Sequence, residues 1–194
     1  GITHDSRFTL PYPICVARAA GPRKWDVDGN EYVDYFGGHG ALLLGHSHPA
    51  VVEAVQRQVS LGTHWGASHT LEVRWAQLVQ RLIPSAERVR FTMSGTEATQ
   101  LALRLARAYT EKPKVVKLEG HFHGYHDQVL FSIDTPRAQL GSDDEPPVWP
   151  ASSGMTPGLA EHLIVVPFNR ADLVARAFEQ HGQQIAAVIC EPIY

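Results

Sequence analysis

Hydrophobic and polar positions change their period about a third of the way along the chain. Early on, Lys24-Trp25-Asp26-Val27 and Glu31-Tyr32-Val33-Asp34-Tyr35 alternate in character around Asp28-Gly29-Asn30, which predicts a β-hairpin closed by a glycine-permissive turn. Gly37, Gly38, Gly40 and Gly45 then punctuate an apolar loop ending in Gly45-His46-Ser47-His48-Pro49. Pro49 suits a first helical turn, and Val51, Val52, Val55 and Val59 line one face of a predicted helix over 49–60. A second helix is predicted over 71–83, stopped by Pro84. Beyond it, short apolar runs at 89–92, 115–118, 129–133, 164–166 and 185–190 predict strands, which alternate with helices over 96–109 and 172–181. Ala98, Leu101, Ala102 and Leu105 fall at helical spacing and make an apolar face able to cover a sheet. Strands alternating with helices of this length predict βαβ units, hence an α/β fold with a mostly parallel sheet. Residues 141–158, rich in Ser, Asp, Pro and Gly, predict a long loop that could serve as an active-site flap.

This pattern divides the chain into an amino-terminal segment with hairpin and linking helix, 1–60, and the start of a larger α/β domain, 61–194. Composition changes the picture little. The 194 residues are 44% hydrophobic and 19% charged, with a formal net charge of −3, ordinary values for a globular chain. That mild acidity gives no electrostatic reason to expect nucleic acid or an anionic membrane as partner. No apolar run approaches the ~18 residues of a membrane span. The opening GITHDSRFTL lacks the basic and apolar regions of a signal peptide, so the cytoplasm is the expected compartment. Cys15 and Cys190 lie too far apart for a metal or redox spacing. The sequence supplies few helices to cover both faces of a parallel sheet, so a piece of a longer protein is expected.

Three stretches carry candidate chemistry. Arg90-Phe91-Thr92-Met93-Ser94-Gly95-Thr96-Glu97 runs from an apolar segment through a Ser-Gly-Thr turn into a helix. The unsatisfied amides of a helix N-terminus, with hydroxyls alongside and a glycine permitting close approach, can cradle a phosphate. The same residues also read as a capping box, Ser94 capping and Glu97 reaching back. Glu119-Gly120-His121-Phe122-His123-Gly124-Tyr125-His126-Asp127 follows a strand. Its aromatic ring and imidazole suit a flat cofactor, while its histidines fit no common zinc spacing. Cys190-Glu191-Pro192 closes the last strand at its carboxyl end, where open α/β sheets place ligands. No Gly-x-Gly-x-x-Gly follows a strand, and neither a Walker-type phosphate loop nor a Gly-x-Ser-x-Gly elbow is present.

Together these stretches resemble the class III, fold-type I pyridoxal-phosphate (PLP) aminotransferases, in particular the branch around glutamate-1-semialdehyde 2,1-aminomutase. WDVDGNEYVDY, LGHSHPAVVEAV, VRFTMSGTEATQLALRLARAYT, KLEGHFHGYHD and IAAVICEPI occur in the family's order. The resemblance implies a fold-type I transferase of which this chain supplies the amino-terminal segment and the first part of the large domain. It implies that Ser94, Gly95 and Thr96 hold the cofactor phosphate. Phe122 would stack on the pyridine ring with His123 beside it, and Glu191 would help orient the ring. Arg7 would pair with a substrate carboxylate as a bidentate guanidinium, and His39 and Trp65 would line the substrate side. It further implies a homodimer, with an amino acid and a keto acid as small-molecule partners. PLP would serve as the electron sink, its family lysine carrying the cofactor and shuttling protons.

Lys24, Lys112, Lys114 and Lys117 stand in no context like the family's Schiff-base lysine. The resemblance places that lysine, and the aspartate that pairs with the pyridine nitrogen, beyond Tyr194. The chain expressed alone is therefore expected to lack transaminase activity. Gly38-His39-Gly40 stands where the aminomutase carries a tryptophan, and the loop after Asp127 differs from the aminomutase's gating loop. Both departures favour amino-group transfer to a keto acid, with β-amino acids among the candidate substrates. The alternatives are the aminomutase, a non-catalytic binding remnant, and a metal-binding protein using His121, His123 and His126.

Overall fold

The structure is a computed structural model that describes residues 7–142 and 144–193. They fall into two units divided between Ile83 and Pro84. No helix among the described residues is long and apolar enough to cross a membrane.

In the first unit, β1 (Val16–Ala20), β2 (Arg23–Asp26) and β3 (Glu31–Val33) form an antiparallel sheet in the order β1-β2-β3. The predicted hairpin is β2-β3. Asp26 organises its turn, its carboxylate accepting from the amides of Asp28 and Asn30, from Asn30 Nδ2 and from the Tyr32 hydroxyl. These donors hold the Asp26 carboxyl below the usual carboxylate range, the Asn30 side chain foremost. β1 was not expected. Its alternation is weak, but Arg18 lays its guanidinium over the Trp25 ring at 3.6 Å and so adds an edge strand. Asp34 then gathers the glycine-rich loop, accepting from His46 Nε2 at 2.6 Å, Lys24 Nζ at 3.0 Å and the amides of Phe36 and Gly37. Helix α1 (Pro49–Val59) opens on its proline, and α2 (Thr70–Leu82) is capped by His69, whose ring accepts from Leu71 N. Neither helix contributes a buried residue, so Val51, Val52, Val55 and Val59 keep their apolar edge exposed.

The second unit carries α3 (Gly95–Thr110), β4 (Lys114–Leu118), β5 (Leu163–Val166), α4 (Ala171–His181) and β6 (Ile185–Ile189). The strands are parallel and ordered β5-β4-β6, with β4 central. Strand alternation splits β4 between the two faces. Val115 packs with Leu103 of α3 and with Val129, Phe131 and Leu163; Val116 packs with Leu173 of α4 and with Val166 and Ile185. Burying these side chains contributes on the order of 1.5–3 kcal/mol each, and it fixes the direction in which all three strands end.

Three expectations are corrected. Residues 89–92 pair with no strand among the described residues and run as irregular chain into α3. Residues 129–133 form one isolated bridge, Phe131 to Pro150, because Val129 ends a turn and Ser132 bends the chain at φ +49°. The third concerns α3. It turns Thr96, Thr99, Leu103 and Arg107 inward, while Ala98, Ala102 and Leu105 of the predicted covering face lie exposed. On the inward stripe Leu103 packs in the core with Val115, and Thr99 and Arg107 donate to the carbonyls of His123 and Pro113.

Candidate functional site

The carboxyl ends of β4 and β6 and the N-terminus of α3 meet in the second unit. Ser94 is the N-cap of α3, with its hydroxyl accepting from Glu97 N at 3.2 Å, while the Glu97 carboxylate accepts from Met93 N at 2.7 Å. Ser94 therefore caps the helix, while Glu97 reaches one residue beyond the cap, to Met93 N, so the full capping box expected from the sequence is not formed. The amides of Gly95 and Thr96 have no acceptor among the described residues, and a side chain placed at Gly95 would meet no atom within 4 Å. Two N–H groups at a positive helix end thus lack an acceptor among the described residues, with open space beside Gly95.

The loop after β4 is fastened on both sides. Towards β6, Phe122 N donates to Glu191 Oε1 at 2.8 Å, and Glu191 N donates to His121 Nδ1 at 2.9 Å. This reciprocal pair places the neutral proton of His121 on Nε2. Towards α3, Tyr125 N donates to Thr96 Oγ1 at 3.2 Å and Thr99 Oγ1 donates to the His123 carbonyl at 2.6 Å. Since Thr99 has one hydroxyl hydrogen, the 3.1 Å contact to His126 Nε2 is a bond donated by the imidazole. Gly124, at φ +104°, lets the loop lie against α3: a Cβ there would sit 2.8 Å from Thr96 Cα. The Thr96 hydroxyl accepts from Tyr125 and keeps its own hydrogen to donate.

Between these fastenings, Phe122 leaves its ring half-exposed, edge-on to Tyr125 at 5.1 Å. His123 is buried, and its Nε2 has no hydrogen-bond partner among the described residues. Burial pushes the His123 imidazole down to about 4, with the Lys117 charge adding to the effect. His121 and His126 are also lowered, burial again leading. The site therefore presents neutral imidazoles, an anion-binding helix end, a ring face and a carboxylate.

Of the residues singled out in the sequence, Ser94, Gly95, Thr96, Phe122, His123 and Glu191 come together here. The others lie in the first unit. His39, at φ +58°, packs edge-on with Phe36 at 4.3 Å, Trp65 stacks on His69 at 5.3 Å, and Arg7 is exposed. Sequence reasoning gave no role to Thr99, Gly124 or Lys117. A signal existed for each: a threonine three residues after Thr96, a glycine between two aromatic residues, and a lysine inside an apolar strand. Among the described residues no three or more His, Cys, Asp or Glu side chains are placed to hold a metal.

Comparison with known proteins places the chain. The glutamate-1-semialdehyde 2,1-aminomutase of Symbiobacterium thermophilum is 43% identical over 181 residues, covering 93% of this chain and 40% of the relative. Among solved structures, an omega-transaminase from Sphaerobacter thermophilus superposes with a TM-score of 0.93 at 36% identity, over 98% of this chain and 43% of that one. A transaminase with PLP bound superposes with a TM-score of 0.88 at 33% identity, over 99% of this chain and 43% of that one. The chain thus spans about two fifths of the length of the proteins it matches, and its fold is the first part of a fold-type I transaminase. The aminotransferase class-III model matches residues 5–194, and the chain belongs to that family.

Proposed function

We propose that this chain forms the phosphate-holding part of a PLP enzyme that moves an amino group between a carboxylate-bearing amino acid and a keto acid. The observation that carries the reading is the pair of unpartnered amides at Gly95 and Thr96, held against the Phe122–Gly124 loop and Glu191. These residues fit the cofactor. The open space beside Gly95 leaves room for a phosphate, the Thr96 hydroxyl has a hydrogen to donate, and the buried His123 Nε2 awaits a partner.

PLP supplies an electron sink when a proton leaves the substrate carbon bearing the amine. The chain's own residues bind and orient. Gly95 and Thr96 would take the phosphate oxygens, and Phe122 would offer its ring face. The Glu191 carboxylate, anchored by the Phe122 amide through Oε1, would use Oε2 to orient the ring. Arg7 would receive the substrate carboxylate, with His39 and Trp65 on the substrate side. The Schiff-base lysine is expected beyond Tyr194, so the 194 residues alone would bind the cofactor without turning over, and the working form would be a homodimer.

The 43% identity to an aminomutase supports a second reading, isomerisation of glutamate-1-semialdehyde. One experiment separates them. The whole protein, loaded with PLP, is given an amino donor with and without a keto-acid acceptor, and glutamate-1-semialdehyde alone in parallel. Acceptor-dependent transfer is expected. Conversion of the semialdehyde without acceptor would establish the aminomutase instead, and failure to retain PLP would overturn both.

A further inference from the structure

Lys117 has no place in the reading above, yet it is fully buried in the middle of the central strand. Strand alternation puts it on the same face as Val115, towards α3 and the site loop. Its Nζ donates to the Phe131 carbonyl at 2.8 Å and to the Leu118 carbonyl at 3.2 Å. Those two carbonyls stand at the end and the start of the loop that carries His121, Phe122, His123 and Gly124. The ammonium therefore bridges the base of that loop, beside the amide bond from Gly120 to the Ser132 carbonyl at 2.8 Å. No carboxylate forms an ion pair with Lys117 among the described residues. A neutral donor could bridge two carbonyls without the cost of burying a charge. The charge itself calls for a reason.

We propose that Lys117 is a positioning residue of this site: its ammonium ties the two ends of the site loop together and holds a positive charge at the base of the loop that carries His121 and His123. The inference rests on the proposed cofactor site for its purpose, but not for its geometry or its test. The charge opposes protonation of His121 and His123, adding to the burial that leads in lowering both. The other titratable groups here are Glu119, which faces Lys117, and His126, which faces His123. Lys117 is itself pushed down to about 8 by burial, so it is mostly charged at pH 7 and loses its charge as the pH rises through that value.

The test uses the whole protein without added cofactor, following the His123 ring carbon resonances against pH. In Lys117→Met the His123 pKa is expected to rise by about one unit, the usual scale for losing a nearby like charge. In Lys117→Arg, which keeps the charge, it stays near the wild-type value. An unchanged His123 titration in Lys117→Met, or an equal rise in Lys117→Arg, overturns the proposal. Should the variants fail to fold, the wild type decides. The Phe122 amide and His123 ring resonances are expected to step at the pH where the Lys117 side chain titrates, and their indifference to it overturns the proposal. Because no PLP is present, failure to bind cofactor and failure of this inference are separate outcomes.

Discussion

Replacing Gly124 with alanine tests whether the helix end and the ring-bearing loop form one site. The new Cβ would stand 2.8 Å from both Cα and Oγ1 of Thr96 and 3.1 Å from its Cβ. Two of those atoms are fixed to the helix, so no side-chain rotation relieves the contact. The backbone angle, φ +104°, adds strain that an L-residue feels and glycine does not, about 1–3 kcal/mol. Overpacking against a helix adds about 1–3 kcal/mol more. The loop cannot slide away freely, because the Thr99–His123 bond at 2.6 Å and the Tyr125–Thr96 bond at 3.2 Å flank the glycine. The total, about 2–6 kcal/mol, should lower the Tm of the whole protein, whose relatives are some two and a half times the length of this chain, by roughly 2–6 °C. Thermal unfolding of the whole protein, paired with a PLP titration, measures both consequences. Cofactor affinity should fall along with Tm, since Phe122 and His123 are displaced from the helix end. A variant with wild-type Tm and wild-type PLP affinity would refute the close approach and the site built upon it.

Gly95→Ala should separate stability from binding. No atom lies within 4 Å of the added Cβ and the backbone angle suits any residue, so the fold should gain about 0.4–1 kcal/mol. The methyl group should nevertheless cost about tenfold or more in PLP affinity by obstructing charge-assisted amide bonds; unfolding and titration curves on one preparation check both signs. The pH dependence follows from His123. Its folded pKa, about 4, lies below the ordinary histidine value of 6.5, so the unfolded chain binds the proton more readily. Stability should therefore be full above about pH 6.5 and fall as pH drops towards 4. Tm measured across that window should fall less steeply in His123→Gln, and an equal slope would contradict the buried neutral ring.

Much of this architecture is legible in the sequence because local and tertiary forces agree. Pro49, Ser94 and Pro84 punctuate helices by local chemistry alone, and the apolar runs at β4, β5 and β6 each find strand partners. The errors arise where tertiary pairing decides. Residues 89–92 have strand composition but take no strand assignment among the described residues, and 129–133 are bent by Ser132 although their side chains are apolar enough to pair. The face of α3 was misjudged because hydrophobicity weighed Leu105 above Thr99, whereas Leu103 faces the core and Thr99 faces the loop. The candidate site was legible as three separate stretches. What joins them was not: Thr96 and Thr99 on one side and the His121–Glu191 exchange on the other are long-range bonds. Lys117 was passed over because a lone lysine in an apolar strand reads as noise until its two carbonyl acceptors are seen.

The Phe122–Glu191 and Glu191–His121 bonds have a consequence for how the protein is made. They join positions 69 and 70 residues apart, so the loop after β4 is synthesised well before its β6 partner exists. Closing so long a separation, with α4 crossing over between β5 and β6, is slow compared with forming the α3 cap. The helix end that receives the phosphate can therefore be in place while the ring-bearing loop still lacks half its anchors. Docking of β6 is the event that completes the site. Substitutions that slow this docking should delay the appearance of cofactor binding during refolding while leaving the rate of α3 formation unchanged.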